Sequence, residues 1–175
     1  MNDPQVLIGL SNPKSPTNVG AILRAAGCFN AHAVRYTGTR HDRAAQFNTD
    51  TQKVNQRIPA TRVESLLEPL PAGTQIVCIE LVEGAVALPE FVHPQRALYV
   101  FGPEDGTLEQ ALIDRADAVV YIPTQGCLNL AATVNLVLYD RLCKDPQYAR
   151  GDELIRRSRD TNNNVRIRGK PASQR

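Results

Sequence analysis

Three short polar segments hold the residues of this chain that are best suited to chemistry. They cover residues 18–24, 99–106 and 122–130. Together they supply two carboxamides, one guanidinium and one carboxylate, from Asn18, Asn129, Arg24 and Glu104. A carboxamide offers both a hydrogen-bond donor and an acceptor, and a guanidinium binds anions. This set predicts a polar binding site that contains neither a nucleophile triad nor a metal cluster.

Each segment follows a short apolar run and precedes a helix-like pattern. In an α/β protein this arrangement places the polar groups at the carboxyl ends of strands, where open parallel sheets bind ligands. Gly102 and Gly106 flank the two acidic residues of the middle segment. Glycines at such positions allow the backbone to approach a ligand closely.

Each of these residues also has an ordinary structural interpretation. Arg24 can form a surface salt bridge, since it lies on an otherwise apolar helix pattern. Glu104 and Asp105 can be stabilised by the dipole of the helix that follows them. Asn129 can be the N-cap of the last predicted helix. Taken singly, the residues leave these alternatives open.

The elements that must position these residues alternate between strands and helices. Apolar runs predict strands near residues 6–10, 33–36, 75–81, 97–101 and 118–122. Helices are predicted from Thr17 or Asn18 to Phe29, over 63–67, from Thr107 with Gln110 in a capping box, and over 130–142. This alternation predicts an α/β fold with a mainly parallel sheet and helices on both faces.

Charge is unevenly distributed along the chain. Residues 37–57 are polar and carry several basic side chains, which predicts a surface excursion with some helix. Residues 151–175 contain seven basic residues against three acidic ones, although the whole chain has a net charge of only +2. We therefore expect one domain over residues 1–150, followed by a basic and mobile tail over 151–175. Nucleic acid is the natural partner of such a tail, and a purely solubilising tail is the alternative.

Composition excludes several classes of protein. The chain has 175 residues, of which 42% are hydrophobic, and no stretch reaches the apolar length of a membrane span. Its first residues lack the features of a signal peptide. Four widely spaced cysteines predict free thiols and a cytoplasmic location: Cys28, Cys78, Cys127 and Cys143. The three histidines lie outside the polar segments, and His32 and His93 are expected at the surface or at strand ends.

In their order and spacing, the three segments resemble the motifs of the TrmH-like (SpoU) branch of the SPOUT superfamily of RNA methyltransferases. The resemblance covers residues 6–144. The matching residues are, motif by motif, Asn18, Gly20 and Arg24, then Phe101, Gly102, Glu104 and Gly106, and finally Ile122, Pro123, Leu128 and Asn129.

The resemblance implies a fold and an activity. The fold would be an α/β domain with a C-terminal trefoil knot, which general topology rules would not lead one to expect. The knot would bind S-adenosylmethionine, and the protein would be a homodimer without a metal. The reaction would be methylation of a ribose 2′-hydroxyl in RNA, with a tRNA somewhat favoured over rRNA.

The resemblance also implies roles for individual residues. Arg24 would bind an RNA phosphate and stabilise the developing alkoxide, since a guanidinium is too basic to act simply as a proton acceptor. Asn18 would orient the ribose or Arg24, Glu104 would position Arg24 or the hydroxyl, and Asn129 would brace the site. The cofactor would contact Phe101, Gly102, Gly106, Ile122, Cys127 and Leu128.

The chain departs from the family pattern in its third motif. Residues 124–126 form a shorter loop than is usual, and Cys127 takes the place of a serine. A thiol is a weaker donor than a hydroxyl, so cofactor affinity is the property most affected. A non-catalytic RNA-binding protein on the same fold is therefore the main alternative. A dinucleotide-binding enzyme is disfavoured, because no G-x-G-x-x-G turn follows Leu10.

Overall fold

The structure of the protein is a computed structural model that describes residues 4–45, 58 and 60–167. The chain divides into two compact units, which cover residues 1–144 and 145–175. Predictions for residues 46–57, including those for Lys53 and Arg57, lie outside the described residues.

The first unit is built on a sheet of seven parallel strands. In chain order these are β1 (Gln5–Leu10), β2 (Ala33–Tyr36), β3 (Ala60–Arg62), β4 (Gln75–Ile79), β5 (Val86–Ala87), β6 (Arg96–Phe101) and β7 (Ala118–Tyr121). The order across the sheet is β3-β2-β1-β6-β4-β7-β5, and every neighbouring pair is parallel. The predicted α/β class with a mainly parallel sheet is confirmed. The short strands β3 and β5 are not predicted by the sequence pattern.

Apolar side chains cover both faces of the sheet. Since successive side chains of a strand point to opposite faces, β6 sends Tyr99 into one core cluster and Leu98 into another. The first cluster includes the apolar stripes of helices α1 (Pro16–Cys28) and α4 (Leu130–Lys144). The second is covered by the short helix α3 (Gln110–Asp114) and the segment around Leu66. Helices thus lie on both faces, as predicted.

Helix α1 begins earlier than the predicted Thr17 or Asn18. Ser15 is the N-cap residue, and its hydroxyl accepts a hydrogen bond of 3.3 Å from the backbone N–H of Asn18. Pro16 occupies the first turn, where its missing N–H is harmless and its fixed φ suits the helix. The Ser-Pro pair, which reads as a chain break, is therefore a helix start.

Two further helix predictions are wrong, and in both segments the backbone makes contacts with distant parts of the chain. Residues 63–67 form no helix; the backbone N–H of Val63 instead bonds to the carbonyl of Tyr36 and continues the pairing of β3 with β2. Helix α3 begins at Gln110 rather than Thr107. The backbone N–H of Leu108 donates to the Glu80 side chain, and the Leu108 side chain is buried in the second core cluster.

A polar network anchors the C-terminal half of α4. His93 bridges the Tyr99 hydroxyl at 2.6 Å and the Asp140 carboxylate at 2.8 Å, and its side chain is only 4% exposed. Arg141 donates to the carbonyls of Pro94 and Gln95, and Lys144 forms an ion pair with Asp140. Burial lowers the pKa of His93, although Asp140 opposes this effect. His93 thus lies shortly before β6, at the predicted strand end, and its side chain is almost fully covered.

The remaining helices are short. Helix α2 (Arg40–Ala45) lies in the predicted polar excursion. In the second unit, helix α5 (Asp152–Ser158) lies within the predicted basic tail. None of the described helices combines the length and apolar character needed to cross a bilayer.

Candidate active site

A cleft of about 290 Å³ opens beside the carboxyl ends of strands β4, β6 and β7. Its lining combines apolar and polar surface, and the polar groups come from all three sequence segments. With the exception of Arg24, every predicted site residue lines it: Asn18, Phe101, Gly102, Glu104, Gly106, Ile122, Cys127, Leu128 and Asn129. The parallel sheet brings these residues together because each segment leaves its strand at the same edge.

Glu104 ties the first polar segment to the second. One carboxylate oxygen, Oε2, accepts a hydrogen bond of 2.8 Å from the backbone N–H of Lys14. The other, Oε1, accepts from the backbone N–H of Ser15 at 3.0 Å and from Nδ2 of Asn18 at 3.1 Å. Three donors from one loop therefore converge on a single side chain located about 90 residues further along the chain.

These bonds fix the protonation state of Glu104. Partial burial raises its pKa, but the hydrogen bonds from Ser15, Lys14 and Asn18 outweigh that effect and hold the pKa below its ordinary value. A carboxylate that is this well satisfied is a weak proton acceptor. Glu104 positions the loop, and among the described contacts it touches Asn18 and not Arg24.

The two carboxamides present opposite polarities to the cleft. Asn18 donates its Nδ2 to Glu104, which leaves its Oδ1 as the available acceptor. Asn129 is the N-cap of α4, since its Oδ1 accepts a 2.7 Å hydrogen bond from the backbone N–H of Ala132. No described residue accepts from Nδ2 of Asn129, so this group is the available donor. The capping interpretation of Asn129 is confirmed, and it orients the amide.

The rim of the cleft carries an ion-pair cluster. Arg40 on α2 donates to both oxygens of Asp105 at 2.8 Å, and Lys14 lies 3.5 Å from the same carboxylate. The hydrogen bond from Arg40 is the main cause of the lowered pKa of Asp105. All three side chains are at least partly exposed. Two cations next to the second polar segment are thus paired with one carboxylate.

Glu80 is a cleft residue that the sequence reasoning missed. It follows β4 directly and lines the cleft together with Leu81. Its Oε2 accepts from the backbone N–H of Leu108 at 2.8 Å. A Cβ added to Gly102 would lie 3.3 Å from this oxygen, so the glycine allows the carboxylate to pack against the loop. The signal in the sequence that could have identified Glu80 is an acidic residue at the end of a predicted strand.

The third segment forms an exposed turn over the cleft. The Thr124 hydroxyl donates to the carbonyl of Gly126 at 2.7 Å, which closes the turn locally. Cys127 and Leu128 follow it, and both are exposed while lining the cleft. The shortened third motif thus still delivers its residues to the cleft.

Arg24 lies outside this cleft. It is exposed on α1, on the same side of the helix as the exposed Gly20. No hydrogen bond or ion pair joins its guanidinium to another residue in the described ranges. The chain therefore assembles the remaining predicted site residues without the arginine.

The cleft has the donor set of an organic-ligand site. In the part of the chain that the structure describes, no three His, Cys, Asp or Glu side chains converge in a way that could hold a metal ion. The cleft instead combines apolar surface with polar groups, several of which are held in fixed orientations, as in sites for small organic molecules.

Curated proteins with similar sequences are described as RNA methyltransferases. An uncharacterized tRNA/rRNA methyltransferase of Mycobacterium sp. (strain KMS) is 29% identical over 143 residues, covering 77% of this chain and 45% of the relative. The 23S rRNA (guanosine-2′-O-)-methyltransferase RlmB of Nitrosomonas europaea is 26% identical over 151 residues, covering 80% of this chain and 56% of the relative. The chain thus spans about half the length of these relatives.

Solved structures share the fold. The TrmH/SpoU tRNA modifying enzyme of A. aeolicus matches with a TM-score of 0.68 and 22% identity, over 80% of this chain and 75% of that one. The SpoU methyltransferase AviRb of Streptomyces viridochromogenes, in complex with AdoMet, matches with a TM-score of 0.63 and 23% identity, over 81% and 58%.

The sequence itself matches the SpoU rRNA Methylase family over residues 5–139, a span that contains all seven strands and every residue of the cleft. With its parallel sheet and its three polar segments gathered at one edge, the chain belongs to the SpoU rRNA methylase family.

Proposed function

We propose that this protein is an S-adenosylmethionine-dependent RNA methyltransferase that modifies a ribose 2′-hydroxyl. The observation that carries this proposal is the convergence of the three polar segments on one cleft at the carboxyl edge of the sheet. Membership of the SpoU family and the 2′-O-methyltransferase named among the relatives support it.

The residues of the cleft fit S-adenosylmethionine. A Cβ added to Gly106 would lie 3.3 Å from Pro103, and one added to Gly102 would meet Glu80, so the loop is folded tightly and its backbone is open to a ligand. Apolar side chains of Phe101, Ile122 and Leu128 offer surfaces for an adenine ring. The charged side chains among the described lining residues are carboxylates, which suits a sulfonium cation.

When bound, the cofactor supplies a methyl group on a positively charged sulfur. Transfer of this methyl group to a ribose oxygen would break the carbon–sulfur bond, leave the sulfur neutral and pass the hydroxyl proton to solvent. The chain must therefore orient the hydroxyl and stabilise negative charge on its oxygen.

The carboxamides of the cleft can orient the ribose. Oδ1 of Asn18 accepts the hydrogen bond of a hydroxyl, and Nδ2 of Asn129 donates to an oxygen. Glu104 keeps Asn18 in this orientation and fixes the loop that leads into α1. These residues serve as positioning groups.

We further propose that the protein is a homodimer in which Arg24 of one subunit completes the cleft of the other. In the single chain, Arg24 is exposed and lies outside the cleft. Large apolar side chains are also exposed on α4, among them Leu136 and Leu142. A guanidinium delivered across an interface would bind an RNA phosphate and stabilise the developing alkoxide.

Basic groups around the cleft are suited to an RNA substrate. Arg40 and Lys14 lie beside the cleft, and the basic tail over 151–175 adds further positive charge. We propose a tRNA as the substrate, and the structural similarity to a tRNA modifying enzyme supports this choice. An RNA substrate and four cysteines that are all free support a cytoplasmic location.

We also infer that the C-terminal half of the first unit forms the trefoil knot implied by the resemblance. Strand β7 lies between β4 and β5, and the segments that follow β4, β6 and β7 meet at one cleft. A fold shared with SpoU structures supports this inference.

The decisive experiment combines cofactor binding with methyl transfer. Calorimetry should detect binding of S-adenosylmethionine, and a labelled methyl group should appear on the 2′-oxygen of tRNA isolated from cells that lack the gene. Arg24→Ala should abolish transfer and retain cofactor binding, whereas Arg115→Ala, which removes an exposed arginine paired with Glu68, should leave both unchanged. Failure to bind the cofactor would favour a non-catalytic RNA-binding protein, and full transfer by Arg24→Ala would refute the role of Arg24.

A further inference from the structure

Glu80 occupies a fixed position at the centre of the carboxyl edge of the sheet. It directly follows β4, which lies between β6 and β7. Its backbone N–H donates to the carbonyl of Val120 at 3.0 Å, which continues the pairing with β7. The residue is partly buried and lines the cleft.

The two carboxylate oxygens of Glu80 are oriented by backbone donors. Oε1 accepts from the N–H of Leu81 at 3.0 Å, and Oε2 accepts from the N–H of Leu108 at 2.8 Å. An ionised carboxylate has about four acceptor positions, so half of its capacity remains for other donors. The Glu80 carboxylate is therefore fixed in orientation and still has free acceptor positions.

Glu80 uses less of its hydrogen-bonding capacity than Glu104, the other carboxylate of the cleft. Glu104 accepts three hydrogen bonds, two of them on one oxygen. Glu80 accepts two, and no lysine or arginine is among the described residues that line the cleft. A carboxylate that faces a cleft without a cationic neighbour is stabilised by a ligand that donates hydrogen bonds to it.

We propose that Glu80 binds the ribose of the cofactor by accepting hydrogen bonds from its two hydroxyls. This inference rests on the proposed function, because it takes the ligand to be an adenosyl group. Adjacent ribose hydroxyls offer two parallel donors, and an acidic residue at the end of a parallel strand recognises them in the same way in dinucleotide sites. Gly102 leaves the carboxylate uncovered, since any side chain there would press against Oε2.

The test is a thermodynamic cycle that uses S-adenosylhomocysteine and its analogue without the 2′- and 3′-hydroxyls. Dissociation constants are measured by calorimetry for the wild type, for Glu80→Gln and for Glu83→Gln, an exposed residue outside the cleft. In the wild type, removal of the hydroxyls should weaken binding roughly 10- to 100-fold, the range expected for hydrogen bonds to a charged group. Glu80→Gln should reduce this hydroxyl effect to about threefold or less, and Glu83→Gln should retain it.

A purely structural role for Glu80 predicts a different result. If Glu80 only holds Leu81 and Leu108, both ligands weaken by the same factor in Glu80→Gln, and the hydroxyl effect stays as large as in the wild type. That outcome would overturn the proposal and leave the proposed function intact. A wild-type protein that does not bind S-adenosylhomocysteine would overturn both. Glu80→Asp, which keeps the charge on a shorter side chain, provides a second cycle if Glu80→Gln folds poorly.

Discussion

Replacement of Glu104 by glutamine separates the positioning role of this residue from its charge. Glutamine retains one oxygen, which can still accept from Ser15 and Asn18, but it places an amide N–H₂ group opposite the backbone N–H of Lys14. Two donors then face each other, and the 2.8 Å hydrogen bond of Lys14 is lost. The loop that leads into α1 is then held to the second polar segment by two hydrogen bonds instead of three.

The magnitude follows from the number and type of bonds. A hydrogen bond to a charged group contributes roughly 1.5–3 kcal/mol, and the partial exposure of Glu104 reduces this value. We therefore expect Glu104→Gln to lower the free energy of unfolding by about 1–2 kcal/mol at neutral pH. Methyl transfer should fall as well, because Asn18 loses the charged partner that orients it.

The pH dependence gives a second readout. The folded-state pKa of Glu104 lies below its ordinary value of 4.5, so the unfolded chain takes up the proton first as the pH falls. The contribution of Glu104 to stability is thus fully present above about pH 4.5 and is lost as the pH falls through the lowered folded-state pKa. The difference in stability between wild type and Glu104→Gln should therefore shrink in acid.

Urea unfolding at neutral pH and at about pH 3.5 measures both effects. Glu83→Gln makes the same change of charge at an exposed position and should be close to the wild type. The reasoning is refuted if Glu104→Gln is as stable as Glu83→Gln, or if its deficit is the same at both pH values.

Two further predictions concern the assembly and the substrate. The proposed dimer can be tested by mixing Arg24→Ala with Gly102→Val, whose side chain would collide with Glu80 and Leu108. The mixture should regain about a quarter of wild-type transfer, because half of randomly formed dimers are mixed and each of these has one intact site. A mixture as inactive as its components would place Arg24 and the cleft in the same subunit. Removal of residues 151–175 should weaken RNA binding and reduce its salt dependence, measured over a series of salt concentrations. If the slope of log binding constant against log salt concentration is unchanged, the tail has no role in RNA binding.

The parts of this fold that follow from local pattern could be predicted from the sequence. The apolar runs of β1 and β6 are buried on both faces, so each reads as a short continuous hydrophobic segment. The run of β7 is continuous as well, although only Val120 in it is fully buried. The polar residues after these runs necessarily reach the same edge of a parallel sheet. The predicted gathering of Asn18, Glu104 and Asn129 follows from this geometry.

What could not be predicted depends on contacts between distant parts of the chain. The N–H of Leu108 bonds to Glu80, and this contact delays the start of α3 against a good local capping pattern. The pairing of Val63 with Tyr36 likewise replaces a predicted helix. No local pattern indicates that Arg24, alone among the predicted site residues, lies outside the cleft.

Helix α4 is anchored at both of its ends. Asn129 caps its first turn beside the cleft, and Arg141 and Lys144 fasten its last turns to the chain before β6. The outward positions between these anchors, such as Leu136, contribute little to the folding of the subunit. Substitutions at these outward positions are therefore expected to change the exposed surface of α4 while the geometry of the cleft is preserved.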